Sequence, residues 1–127
     1  GRQDLIVRQV GGGPLKLFEN RFPQQNWLRI SLRGVKANRS GIGARVVAKI
    51  GDRQVVRELW PVNTFYSQAL GVVHIGLGAD EKVDELTIQW SKETIQRHVN
   101  VAGNRHILIK EEDDAVHTVK PGEPMPF

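Results

Sequence analysis

Apolar and polar residues alternate along much of this chain with a period of two. Between Trp27 and Arg33, Leu28, Ile30 and Leu32 fall on one side while Trp27, Arg29, Ser31 and Arg33 fall on the other. That is the signature of a half-buried β-strand. Ile42 to Ile50 repeats it, with Val46, Ala48 and Ile50 facing in and Arg45 and Lys49 facing out. Gly51-Asp52 then predicts a tight turn, and Gln54 to Trp60 the returning partner strand. Val72 to Ile75, Glu85 to Trp90 and His106 to Lys110 read as three further strands, and Trp90 alternates with Leu86 and Ile88, a core position. Upstream, Leu5-Ile6-Val7 and Leu15-Lys16-Leu17-Phe18 flank Gly11-Gly12-Gly13-Pro14, which predicts a hairpin. Short runs broken by 13 Gly and 6 Pro, with little helical periodicity, predict an all-β chain. The expected architecture is an antiparallel β-sandwich or jelly-roll-like domain with an N-terminal β-hairpin.

The length, 127 residues, suits one core. No window reaches the roughly eighteen apolar residues of a membrane-spanning helix. With 0 Cys, disulfides, thiolate catalysis and Cys-based metal sites are excluded. Gly1-Arg2-Gln3-Asp4 carries neither a start Met nor a signal-peptide pattern, so the chain is expected to be cut from something longer. Charge is unevenly spread: residues 1–60 hold 12 Lys and Arg against 4 Asp and Glu, whereas residues 61–127 hold 6 against 10. Such a basic half attracts acidic partners or is simply solvated. The acidic, proline-bearing stretch 113–127 has the composition of a fraying tail.

Catalytic and metal constellations are hard to assemble from these residues. The four His lie apart, with no paired spacing for a metal. His74 reads as the end of a strand, its ring bonded to a loop carbonyl. Ser67 has no nucleophile elbow around it, and Ser67-Gln68 reads as a pair that satisfies loop backbone groups. Gly41-Ile42-Gly43 and Gly76-Leu77-Gly78 lack the Gly-Lys-Ser/Thr continuation of a phosphate loop and read as bends. No catalytic residue, cofactor or metal is therefore expected. The binding candidates are aromatic and basic: Trp60, Phe65 and Tyr66 with Ser67 and Gln68 in one strand-to-loop passage, and Trp27 with Arg29 and Arg33 on one strand face. Trp60 also reads as a residue that could close the end of the core. Arg29, Arg33, Lys36, Arg39, Arg45, Lys49, Arg53 and Arg57 are expected to bring several charges onto one sheet face.

The blocks Asn26-Trp27-Leu28-Arg29-Ile30, Asn38-Arg39-Ser40-Gly41-Ile42-Gly43-Ala44-Arg45-Val46 and His74-Ile75-Gly76-Leu77-Gly78 resemble the ASPIC/UnbV domain. Val83-Asp84-Glu85-Leu86-Thr87-Ile88-Gln89-Trp90 and Val99-Asn100-Val101-Ala102-Gly103-Asn104-Arg105 continue the resemblance, which spans about residues 26–112. Two segments depart from it: Val62 to Gln68, where only Ser67 and Gln68 match well, and Trp90-Ser91-Lys92-Glu93 in place of a Trp-Pro-Ser-Gly turn. The resemblance implies a domain of extracellular or periplasmic proteins, following FG-GAP/VCBS propeller repeats. Gly1 to Leu5 resembles the second half of those repeats' calcium loop, so residues 1–20 would be a remnant of the last repeat. Residues 21–25 would be a linker, 26–112 the sandwich and 113–127 the tail. Asp4 alone cannot hold an ion. The expected role is a non-catalytic binding or assembly module for a protein or glycan. The alternatives are a structural or propeller-capping subunit, and polyanion binding through the basic half; nucleic acid is disfavoured by the extracytoplasmic setting.

Overall fold

A computed structural model describes residues 2–62, 64, 68 and 71–122. Ten strands run in order along the chain: β1 (Leu5–Val7), β2 (Lys16–Phe18), β3 (Asn26–Arg33), β4 (Arg45–Ile50), β5 (Arg53–Glu58), β6 (Val72–Gly78), β7 (Lys82–Gln89), β8 (Ile95–Ala102), β9 (Arg105–Lys110) and β10 (Val116–Thr118). There is no helix among the described residues, and so none long and apolar enough to cross a membrane. β1 and β2 pair only with each other. The remaining strands form two four-stranded sheets, ordered β10-β9-β3-β6 and β5-β4-β7-β8. Their inward faces meet in one apolar cluster that includes Leu28 and Ile30 of β3, Val46 and Ala48 of β4, Ile75 of β6, Leu86 and Ile88 of β7, and Ile107 and Ile109 of β9. The expected β-sandwich with its N-terminal hairpin is what forms, and Trp90 is buried in it as its alternation predicts.

The sheets are not wholly antiparallel. β3 and β9 pair in parallel, Leu28 opposite Arg105 and Arg33 opposite Lys110. The chain visits the other sheet twice between them, so β9 returns in the same direction as β3. Alternation does not mark β8 or β10, for physical reasons. On β8 the inward Gln96 and His98 are polar while Ile95 and Val99 stand outward. The buried set then changes phase: Asn100 takes φ 53°, and Val101 rather than Asn100 faces the core. β7 changes phase opposite it, between Val83 and Leu86. β10 lies inside the acidic stretch expected to fray, yet it pairs with β9.

Two loops are fixed by specific contacts at opposite ends of β3. Gly103 sits where a Cβ would lie 2.6 Å from Leu77 Cδ1 and 2.9 Å from the Glu81 carbonyl oxygen, so only glycine fits without a shift. Next to it, Asn104 N–H donates to the Trp27 carbonyl at 2.6 Å and the Asn104 side chain donates to Asn26 Oδ1 at 2.8 Å, which fixes the start of β3. At the other end the Glu111 carboxylate accepts three consecutive backbone N–H groups, from Val35 at 2.7 Å and from Lys36 and Ala37 at 2.8 Å. Burial pushes the Glu111 carboxyl up, but these three donors outweigh it and hold the group below the usual carboxylate range.

Candidate functional site

The outer face of the β10-β9-β3-β6 sheet is set by the alternation of β3, which turns Trp27, Arg29, Ser31 and Arg33 away from the core. Register places Arg29 between His74 of β6 and His106 of β9, and Arg33 beside Lys110. Trp27 and His74 stack with ring centroids 6.3 Å apart and planes inclined by 12°. Ser31, only 2% exposed, forms the floor and is hydrogen-bonded to His106 Nε2 at 2.8 Å. Arg29 Nε and His74 Nδ1 are shut off from solvent and have no hydrogen-bond partner. Burial lowers the His74 pKa, and the charges of Arg29 and Arg57 lower it further. Burial and Arg29 likewise lower that of His106, which favours neutral rings at neutral pH. His74 is thus not the strand-ending, carbonyl-bonded residue expected from sequence. It lies inside β6, and its ring is held by Trp27.

His74 also lines a cleft of about 240 Å³ between the sandwich edges β5 and β6, together with Arg57, Leu59, Trp60, Val62 and Val72. Trp60 is 58% exposed there, so it does not close the core. The Gln68 amide donates to the Pro61 carbonyl, a loop-bracing role of the kind expected for Ser67-Gln68. Phe65, Tyr66 and Ser67 lie outside the described residues. Of the candidate binding residues, then, Trp60 and the Trp27–Arg29 pair are linked through His74, while Arg33 lies further along β3.

The basic residues of the first half do not gather on one face, because alternation distributes them. Arg29 and Arg33 belong to the face just described. Arg45 and Lys49 lie on the outer face of the other sheet, where register sets them opposite Glu58 and Glu85. Arg53 is tied to the Leu77 carbonyl and, at 3.0 Å, to Asp80. Lys36 pairs with Glu112 at 2.5 Å. No three His, Asp or Glu side chains gather as a metal ion requires among the described residues.

The hairpin carries a different surface. Leu5, Ile6, Val10, Leu15, Leu17, Phe18 and Phe22 are each between 54% and 81% exposed. Register puts Leu5 opposite Phe18 and Ile6 opposite Leu17, so both faces of the ribbon are apolar. Asp4, the residue resembling part of a calcium loop, instead accepts the Asn20 N–H at 2.9 Å and closes the ribbon's base. His74, His106 and the exposed ribbon were not singled out as binding features from sequence. Leu5 to Phe18 reads as ordinary strand, and only burial separates an inward ribbon from an uncovered one.

No curated protein and no solved structure gave a significant match to the chain. A family profile described as ASPIC and UnbV matches residues 34–116, which run from the loop after β3 to the start of β10. That family is one of non-catalytic domains within larger proteins. The match covers more than half of the sequence and includes both Glu111 and the Gly103-Asn104 turn, and the chain belongs to the ASPIC and UnbV family.

Proposed function

We propose that the chain is a non-catalytic assembly module that engages a protein partner outside the cytoplasm, in the extracellular or periplasmic space. The observation that carries the partner class is the β1–β2 ribbon, whose apolar residues stand uncovered on both faces. A lone two-stranded ribbon is marginal in water. Clustered exposed apolar side chains mark a contact surface. Aliphatic residues dominate the ribbon, and Trp60 stands beside Val62, a surface suited to protein side chains more than to sugar rings. The ribbon would be covered by a neighbouring domain or subunit, consistent with a family of domains within larger proteins. The extracytoplasmic setting rests on the family resemblance.

The absence of Cys makes the test simple. Leu17→Cys is labelled with a maleimide in the isolated chain and in the longer protein that carries it. Labelling is expected to be at least about tenfold slower in the longer protein, as burial of a reactive group requires. Equal labelling in both would remove the ribbon as an assembly surface.

A further inference from the structure

We infer that the outer face of the β10-β9-β3-β6 sheet is a docking site for an acidic polypeptide segment, with Arg29 and Arg33 each receiving a carboxylate. This surface is separate from the ribbon, and the inference does not depend on what covers the ribbon.

Several cations elsewhere on the molecule have partners within the chain. Arg53 has the Leu77 carbonyl and Asp80, Lys36 has Glu112, and Lys82 has Asn100 at 2.7 Å and Asp84 at 3.7 Å. Arg105 reaches the Ala102 carbonyl at 3.0 Å. Arg29 is half-buried at the centre of a sheet face, its Nε is buried without a partner, and its side chain makes no hydrogen bond or ion pair with the described residues, although a guanidinium offers five donors. The Asp113 carboxylate is already taken: it is bonded to His117 at 2.7 Å and accepts the Ala115 N–H at 2.9 Å. A half-buried guanidinium without a partner carries a standing desolvation cost, which a bidentate carboxylate removes.

Spacing and floor select the kind of anion. Arg29 and Arg33 are four residues apart on one strand, about 13 Å, so a single small anion cannot bridge them. Between them the floor is Ser31 and Leu108, both buried and therefore dry. The stacking platform that a sugar or a base would use is compromised, because His74 occupies one face of Trp27. An extended acidic peptide meets all three conditions: it spans the two arginines, lies over a floor already shut off from water and needs no free ring.

The probe is a hexaglutamate peptide titrated into the 127-residue chain at low ionic strength, followed by isothermal calorimetry. Arg29→Gln and Arg33→Gln are each expected to weaken binding by roughly fivefold or more, the scale of a partly buried charge-assisted pair. Arg45→Gln removes the same charge from the opposite sheet face and is expected to leave affinity within about twofold, the scale of an exposed charge. Arg29→Lys keeps the charge but not the fork, and is expected to fall between wild type and Arg29→Gln. Leu17→Asp in the ribbon is expected to leave hexaglutamate binding unchanged, which keeps this test independent of the assembly reading. Equal losses for Arg29→Gln and Arg45→Gln, no measurable binding, or tighter binding of hexagalacturonate than of hexaglutamate would each overturn the inference.

Discussion

Glu111 joins two distant segments with a single side chain. Its carboxylate is nearly out of water and takes the N–H groups of Val35, Lys36 and Ala37, three donors that would otherwise be left unpaired in the loop after β3. Glu111→Ala is expected to destabilise the fold by about 2–4 kcal/mol, measured by urea denaturation, because it orphans all three. The charge also sets an acid limit. The folded carboxyl titrates below its ordinary value of 4.5, so its contribution is present above that pH and is lost as pH falls through the folded value. His98 adds an earlier stage. It is buried with Nε2 unpaired, and burial lowers its pKa although Asp114 opposes the shift. The unfolded chain therefore binds a proton near 6.5 that the folded chain resists, and stability falls as pH drops below that value. Thermal melts should show a decline below about pH 6.5 that Glu111→Gln leaves in place, and a second below about pH 4.5 that it diminishes. Neither residue was legible beforehand. Glu111 heads a run of four acidic residues, and nothing local distinguishes the one that turns inward. His98 occupies an inward position that an apolar pattern search passes over.

The strands that alternate cleanly were legible as elements. β3, β4, β6, β7 and β9 overlap runs where small or apolar residues recur at every second position, and β5 follows from the Gly51-Asp52 turn that returns the chain beside β4. β8 was lost because its inward residues are polar and its phase changes at Asn100, and β10 because three residues carry too little pattern. The parallel β3–β9 pairing was likewise out of reach, since alternation fixes which face a residue takes but not which strand lies beside it. The turn that delivers β9 to β3 depends on shape. Gly103→Ala would place a methyl against Leu77 and the Glu81 carbonyl, and is expected to cost about 1–3 kcal/mol in chemical denaturation. It should also perturb the fluorescence of Trp27, whose carbonyl accepts the Asn104 N–H. A cost near zero would mean that the β8–β9 turn is not held against β3 and β6.

At the scale of the whole molecule, one sandwich presents two surfaces with unlike chemistry, an apolar ribbon and a cationic sheet face. Half of this was visible in sequence. The outward positions of Trp27, Arg29 and Arg33 follow from the period of β3, but their neighbours His74 and His106 arrive from strands far along the chain. The ribbon's lack of cover has no sequence signal at all, because Ile6 and Leu17 would look the same in a filled core. The ribbon is proposed to be a contact surface for other protein. Amide hydrogen exchange tests it most directly, comparing the isolated chain with the longer protein that carries it. In the isolated chain the amides of Leu5–Val7 and Lys16–Phe18 are expected to exchange with little protection, while those of Leu28–Leu32 are strongly protected. In the longer protein the ribbon amides should slow by at least about tenfold, with β3 unchanged. Equally fast ribbon exchange in both would contradict the claim.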